Sequence, residues 1–247
     1  MADRAVRVLI APELRFFLPR RYRGGQAAVR HDPTATIGHV VESLGVPLPE
    51  VGALLLDGAA AAPGARAAAG SSVEVRPVRR PQPVPARFLL DVHFGALARR
   101  MRLLGLDASY RNDATDDELA ERAHREDRVL LTQDRGLLRR RAVTTGAYVR
   151  GRTTDEQLAD VLDRFRPALA PWTRCAACGG PLEPVAKQEV AHRLQPGTLR
   201  EHDEFARCRD CGQVYWRGAH SRRIEEMIRR ARGAGVRRHS AASRVGR

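Results

Sequence analysis

Two short cysteine motifs constrain this chain more than any other feature of its 247 residues. Cys175-Ala176-Ala177-Cys178-Gly179 and Cys208-Arg209-Asp210-Cys211-Gly212 repeat one pattern, two thiols spaced by two residues and followed by glycine. That spacing lets both sulfurs of a pair reach one ion from a tight turn. The glycine tolerates the turn and leaves backbone N–H groups able to approach sulfur. Four thiolates suit tetrahedral Zn²⁺ with no open position, so the motifs predict a structural zinc site rather than a catalytic one. An iron–sulfur cluster or a redox dithiol is the alternative use of the same sulfurs. The 29 residues between the pairs exceed ordinary finger spacing and fit a ribbon with a long loop.

Composition narrows the class. A hydrophobic fraction of 43% can build cores, which excludes a wholly disordered chain. No apolar run reaches the roughly 18 residues of a membrane helix. The opening residues lack both an uninterrupted apolar block and a small-residue cleavage site. The expectation is a cytoplasmic protein with no membrane partner, where cysteines bind metal rather than form disulfides. The net charge is +14, and of the 43 basic residues only Lys187 is lysine. That charge is uneven: +4 over residues 1–85, +2 over 86–170, zero over 171–216 and +8 over 217–247. The tail therefore points to a polyanion such as RNA, although an Arg- and Ala-rich composition can also reflect genome base composition.

Prolines 81, 83 and 85 mark a semi-rigid polyproline spacer. They divide the chain into a first domain over 1–79, a linker over 80–86, a second domain over 87–170, a cysteine-bearing ribbon over 171–220, and a basic helix with a disordered tail over 221–247. In the first domain, strands are expected over 6–10 (running on through 14–18), 26–30, 53–56 and 72–78. A helix over 36–44 is stopped by Gly45. This order is α+β, and with TIGHVVESLGVP it resembles the β-grasp of ubiquitin-like sulfur carriers. Over 87–170, strands at 88–90, 106–110, 129–132 and 147–150 alternate with helices at 94–104, from a capping box at 115–118, and from Thr154. Such alternation predicts an α/β parallel sheet with helices on both faces.

Two of these strands end in aspartate, Asp91 and Asp134. Ligand sites in open α/β sheets lie beyond the carboxyl ends of strands. Asp116 and Asp117 open the intervening helix, where they could join a divalent-metal site with the strand-end acids or simply favour the helix N-terminus. Asp155 and Glu156 have only the helix-start explanation, and His93 reads as a surface or helix-start histidine. Arg139, Arg140 and Arg141 form a basic cluster close after Asp134. After the second cysteine pair, Tyr215, Trp216 and Arg217 could stack a base and bind phosphate. One of the two aromatics could equally form the ribbon's core.

The motifs FLLDVHFGALARRMRLLGLD, DDELAERA, RVLLTQDRGLL, the two cysteine pairs and YWRGAH, in that order, resemble the Mut-seven C-terminal RNase family. The resemblance covers about residues 86–230. It implies a PIN-like nuclease domain with a C-terminal zinc ribbon behind a ubiquitin-like module. It also implies a ribonuclease that uses Mg²⁺ or Mn²⁺ held by Asp91, Asp116 (with Asp117 beside it) and Asp134. Gln133 departs from the family's LTRD motif, replacing a basic residue near a phosphate contact, and no fourth acid is matched. The first domain lacks the free C-terminal Gly-Gly of active sulfur carriers, because its last strand runs into Arg79-Arg80-Pro81. It therefore reads as a docking module for a protein partner. The alternative functions are a non-catalytic, ribosome- or tRNA-associated RNA-binding protein and a processed sulfur-carrier fusion.

Overall fold

The computed structural model describes residues 5–217 together with residues 225, 226 and 229. In β1 (Ala5–Ile10), Val6, Val8 and Ile10 point inward at the two-residue period of a half-buried strand. The expected continuation to residue 18 is not a strand. Pro12–Phe17 forms a 3-10 segment, because Pro12 has no N–H to give a ladder. Leu14 and Phe17, three residues apart, then fall on the same buried side of a three-residue turn. The chain turns at Gly25, where φ is 87°, into the antiparallel β2 (Gln26–Arg30). Helix α1 (Ile37–Ser43) begins where Thr36 Oγ1 accepts from the His39 N–H at 3.2 Å. Such a cap contributes about 1 kcal/mol.

Strands β3 (Val51–Leu56), β4 (Ala59–Ala61) and β5 (Ser72–Pro77) complete a five-stranded sheet of order β2-β1-β5-β3-β4. Only the β1–β5 pair is parallel. Ile37 and Val41 pack with Val8 and Val73 in its core, all fully buried. β4 escaped expectation because three alanines show no alternation. Residues 78–86 carry no helix or strand.

Strand β6 (Arg87–Leu90) passes through a 3-10 turn at Val92–Phe94 into α2 (Gly95–Leu103) and returns as β7 (Asp107–Tyr110), parallel to β6. Leu97, Met101 and Leu104 are fully buried, as their helical spacing predicts. Helix α3 (Asp116–Arg125) precedes β8 (Val129–Thr132), whose four residues are all buried. A four-residue helix, α4 (Arg135–Leu138), then leads to β9 (Gly146–Tyr148), parallel to β8. Helix α5 (Thr154–Phe165) begins where expected and is capped by Thr153, whose hydroxyl accepts from the N–H of Glu156 while the Glu156 carboxylate accepts from the N–H of Thr153.

Beyond it, β10 (Leu182–Val185), β11 (Phe205–Cys208) and β12 (Val214–Trp216) form an antiparallel sheet. The long loop between the cysteine pairs folds into α6 (Lys187–Val190) and α7 (Pro196–Glu201). The basic helix expected over 221–232, and the tail, lie outside the described residues except for Glu225, Glu226 and Arg229, which are helical. No helix among the described residues is long and apolar enough to cross a membrane.

The chain forms two compact units. The first joins the described residues up to Gln82 with Asp116–Glu126 and Leu130–Tyr148; the second comprises Pro83–Thr115, Asp127–Val129 and the described residues from Val149 onward. Within the first unit, Tyr148 of β9 packs against the core beneath β1 and α1. Its backbone N–H donates to Oε1 of the buried Glu50 at 2.8 Å.

Candidate functional site

In the second unit, the two cysteine motifs fold as copies of one turn. Gly179 N–H donates to Cys175 O at 2.9 Å and Gly212 N–H to Cys208 O at 3.0 Å. The glycines take φ values of 89° and 72°, where a side chain would be strained. All four sulfurs lie within 4.8 Å of one another. The Cys175–Cys211 and Cys178–Cys208 separations are 3.6 and 3.5 Å. Tetrahedral Zn–S bonds of about 2.3 Å place sulfurs about 3.8 Å apart, so the cluster could hold such an ion.

Its electrostatics point the same way. Burial pushes the Cys175 thiol up, but the Cys178 N–H, the Tyr215 hydroxyl and the Ala177 N–H outweigh it and bring the thiol down to about 6. Burial drives Cys178 up to about 12. Four adjacent thiols cannot all ionise unless a cation joins them.

Two residues support the cluster that sequence reasoning did not single out for this task. Arg102 of α2 is only 3% exposed. Its guanidinium donates to Ala108 O at 2.8 Å and, inside the first cysteine turn, to Ala177 O at 2.5 Å and Ala176 O at 3.5 Å. Burial lowers its pKa, opposed by the charges of Cys178 and Cys175. The only signal was an arginine one residue past Met101, on the edge of the apolar helix face. Tyr215 accepts from the Ala177 N–H at 3.3 Å, and its hydroxyl lies 3.1 Å from Cys175 Sγ. Trp216 beside it is 37% exposed. Arg217 lies over the Trp172 ring, 5.6 Å from its centroid. Trp172, Pro184, Glu204, Trp216 and Arg217 are among the residues lining a groove of about 460 Å³.

Asp91, also in the second unit, closes β6 and is 5% exposed; its carboxylate accepts from the Val92 N–H at 2.6 Å. Tyr110 fixes the turn by donating to Val92 O at 2.8 Å.

The other three acids lie in the first unit. Asp116 and Asp117 occupy the first turn of α3. Arg140 bridges them, with Nη2 3.5 Å from Asp116 Oδ2 and Nη1 paired to Asp117 Oδ1. Asp134 follows β8 in a turn braced from both sides. Thr132 Oγ1 accepts from the Asp134 N–H at 2.8 Å, and Asp134 Oδ1 accepts from the N–H groups of Gly136 at 2.6 Å and Leu137 at 3.2 Å. A Cβ at Gly136 would lie 3.0 Å from that oxygen, so glycine admits the close approach. Arg139 donates to Arg135 O at 3.3 Å and to Glu42 O at 3.5 Å.

A ubiquitin-type mixed sheet, parallel strands ending in aspartate, and a four-cysteine cluster make up a modular chain. Residues 86–228 match the Mut7-C RNAse domain and residues 4–83 match the Mut7-C ubiquitin domain. The chain belongs to the Mut7-C RNase family, with the ubiquitin-like module ahead of the RNase domain. No curated protein and no solved structure matches it.

Proposed function

We propose that the chain is a metal-dependent ribonuclease that hydrolyses RNA phosphodiester bonds. In this reading the α/β part is PIN-like, the cysteine cluster is a structural zinc ribbon, and the domains divide at 79, 86, 170 and 220. The observation that carries it is Asp134, held in a doubly braced turn directly after a buried strand of a Mut7-C RNAse domain. Asp91, Asp116, Asp117 and Asp134 supply the hard oxygen donors that Mg²⁺ and Mn²⁺ prefer. When bound, such an ion would acidify a water and offset phosphate charge.

The protein's own groups do the rest. Both cap bonds of Asp134 fall on Oδ1, so the turn orients the carboxylate. Arg139 and Arg140 bind phosphate oxygens, where guanidinium forks are effective donors. The aromatic face of Tyr215 and Trp216, with Arg217, stacks single-stranded bases. The ubiquitin-like module offers a docking surface for a protein partner. The setting is cytoplasmic.

The test is cleavage of single-stranded and structured RNA. The wild-type chain is expected to cut with Mg²⁺ or Mn²⁺, stop with EDTA and resume when Mg²⁺ is restored. Asp91→Asn is expected to lose about a hundredfold or more, since even outer-shell metal partners are worth 10–100-fold. Equal cleavage by the variant rejects the reading. One observation favours a non-catalytic RNA-binding protein instead, namely that Arg140 already pairs with both Asp116 and Asp117. RNA binding that survives Asp91→Asn, with no substrate cut, would establish that alternative.

A further inference from the structure

Arg135 directly follows Asp134, yet its side chain is committed to the ubiquitin-like module. Its Nη1 donates to Phe17 O at 3.1 Å and its Nη2 to Phe16 O at 3.2 Å. The same guanidinium lies over both rings, 4.8 Å from the Phe16 centroid and 5.3 Å from that of Phe17. Tyr148 closes the cluster, its ring 5.0 Å from Phe16 and 5.4 Å from Phe17. These contacts bring the 3-10 segment Pro12–Phe17 against the start of α4 and the last residue of β9. The cation thus meets two carbonyl dipoles and two aromatic faces at once, an arrangement that holds its direction better than an exposed ion pair.

From this geometry we infer that the ubiquitin-like module acts in cis as a part of the nuclease site, with Arg135 as a positioning residue that holds the Asp134 turn. The inference rests on the ribonuclease reading of Asp134. The turn has two internal braces, Thr132 Oγ1 behind Asp134 and the Gly136 and Leu137 N–H groups ahead of it. Arg135 is the residue between those braces, and fixing its side chain fixes the peptide that joins them. It also accounts for a ubiquitin-like module whose last strand runs on into the chain. The 3-10 segment that replaces the expected strand is a tool for presenting two consecutive carbonyls, which a paired strand would spend on its neighbours.

The experiment uses the full chain with Arg135→Ala, Arg135→Lys and Phe16→Ala, the last at a surface position that is 38% exposed. Two quantities are read, steady-state RNA cleavage with Mn²⁺ and amide hydrogen exchange at Gly136 and Leu137. Arg135→Ala is expected to lower kcat about tenfold with KM for RNA nearly unchanged, a modest share of what about 1 Å of misplacement costs. It should also speed exchange of the two amides about tenfold, because loosening the turn opens the cap. Phe16→Ala should move both quantities the same way by less. Arg135→Lys should stay close to alanine, because an ammonium cannot span two carbonyls as a fork.

Unchanged amide protection in Arg135→Ala overturns the inference. So does a raised KM at constant kcat, which makes Arg135 an RNA contact, and so does full rescue by lysine, which makes charge alone sufficient. If the wild-type chain cuts no RNA, it is the ribonuclease reading that fails, and amide exchange still decides whether the module holds the turn.

Discussion

The cysteine cluster and the aspartate turns are both polar centres of this chain, but they are assembled by different rules. The cluster repeats one turn twice, with matching glycine conformations and matching hydrogen bonds. Each turn delivers two sulfurs, so one long-range pairing assembles four ligands. The aspartates come from three separate places, the ends of β6 and β8 and the first turn of α3, each with a setting of its own. Asp91 holds the next residue's N–H, Asp134 caps a four-residue helix, and Asp116 and Asp117 share an arginine. A repeated local motif therefore delivers four sulfurs from two matched turns, braced from α2 by Arg102, while each dispersed carboxylate needs neighbours of its own to hold it.

Stripping metal is the strongest way to test that contrast. A zinc-selective chelator is expected to unfold the ribbon, since structural zinc supplies on the order of 10 kcal/mol of folding free energy. Removing Mg²⁺ should leave the fold intact. Zinc content and Trp fluorescence during titration distinguish the two, and a ribbon that keeps its signal after losing metal breaks the comparison. Arg102→Ala comes next. It leaves the Ala108 and Ala177 carbonyls without their buried donor and should cost about 3 kcal/mol in urea denaturation.

Asp134 then separates chemistry from capping. Asp134→Asn should keep stability within about 0.5 kcal/mol while cleavage is lost, because asparagine caps as well as aspartate. Asp134→Ala should lose about 1 kcal/mol as well. The smallest expected effect comes from Asp57, a carboxylate whose two oxygens are both spent on structure, Oδ1 on the Ser72 N–H and Oδ2 on the Ser71 hydroxyl. Those bonds, the Ser72 N–H first, hold its pKa below the ordinary carboxylate value. Its contribution is therefore present above that ordinary value and is lost as pH falls through the lowered one. Acid melting between pH 5 and pH 2 should be slightly shallower in Asp57→Asn than in the wild-type chain.

Several elements were legible because their causes are local. The glycines after the cysteine pairs, the helix ahead of Gly45, and the inward Leu97, Met101 and Leu104 follow from spacings within one or two turns. Where expectation rested on apolar character or residue type alone, it failed or fell short. Residues 14–18 are apolar enough for a strand, but Pro12 starts a 3-10 turn that gives its apolar side to the core and its carbonyls to Arg135. Tyr215 was read as a base-stacking aromatic or a core residue, and the structure adds its hydroxyl beside Cys175. Arg139 and Arg140 were foreseen as basic groups near Asp134, but their partners, Glu42 O and the Asp116–Asp117 pair, were not.

The arginines make the division clearest. On the page all 42 are alike, and the sequence by itself determined their number and their concentration in the last 31 residues. It also determined the turns, caps and cysteine pairs, which depend on neighbours a few residues away. Only the tertiary structure decided that Arg102 is buried beneath a cysteine turn, that Arg135 is held by two phenylalanine carbonyls, and that Arg140 spans two aspartates. The physical reason is reach. A long side chain with a planar fork can serve any carbonyl or carboxylate the fold brings near, so its role is set by what packs around it and not by the residues beside it in the chain.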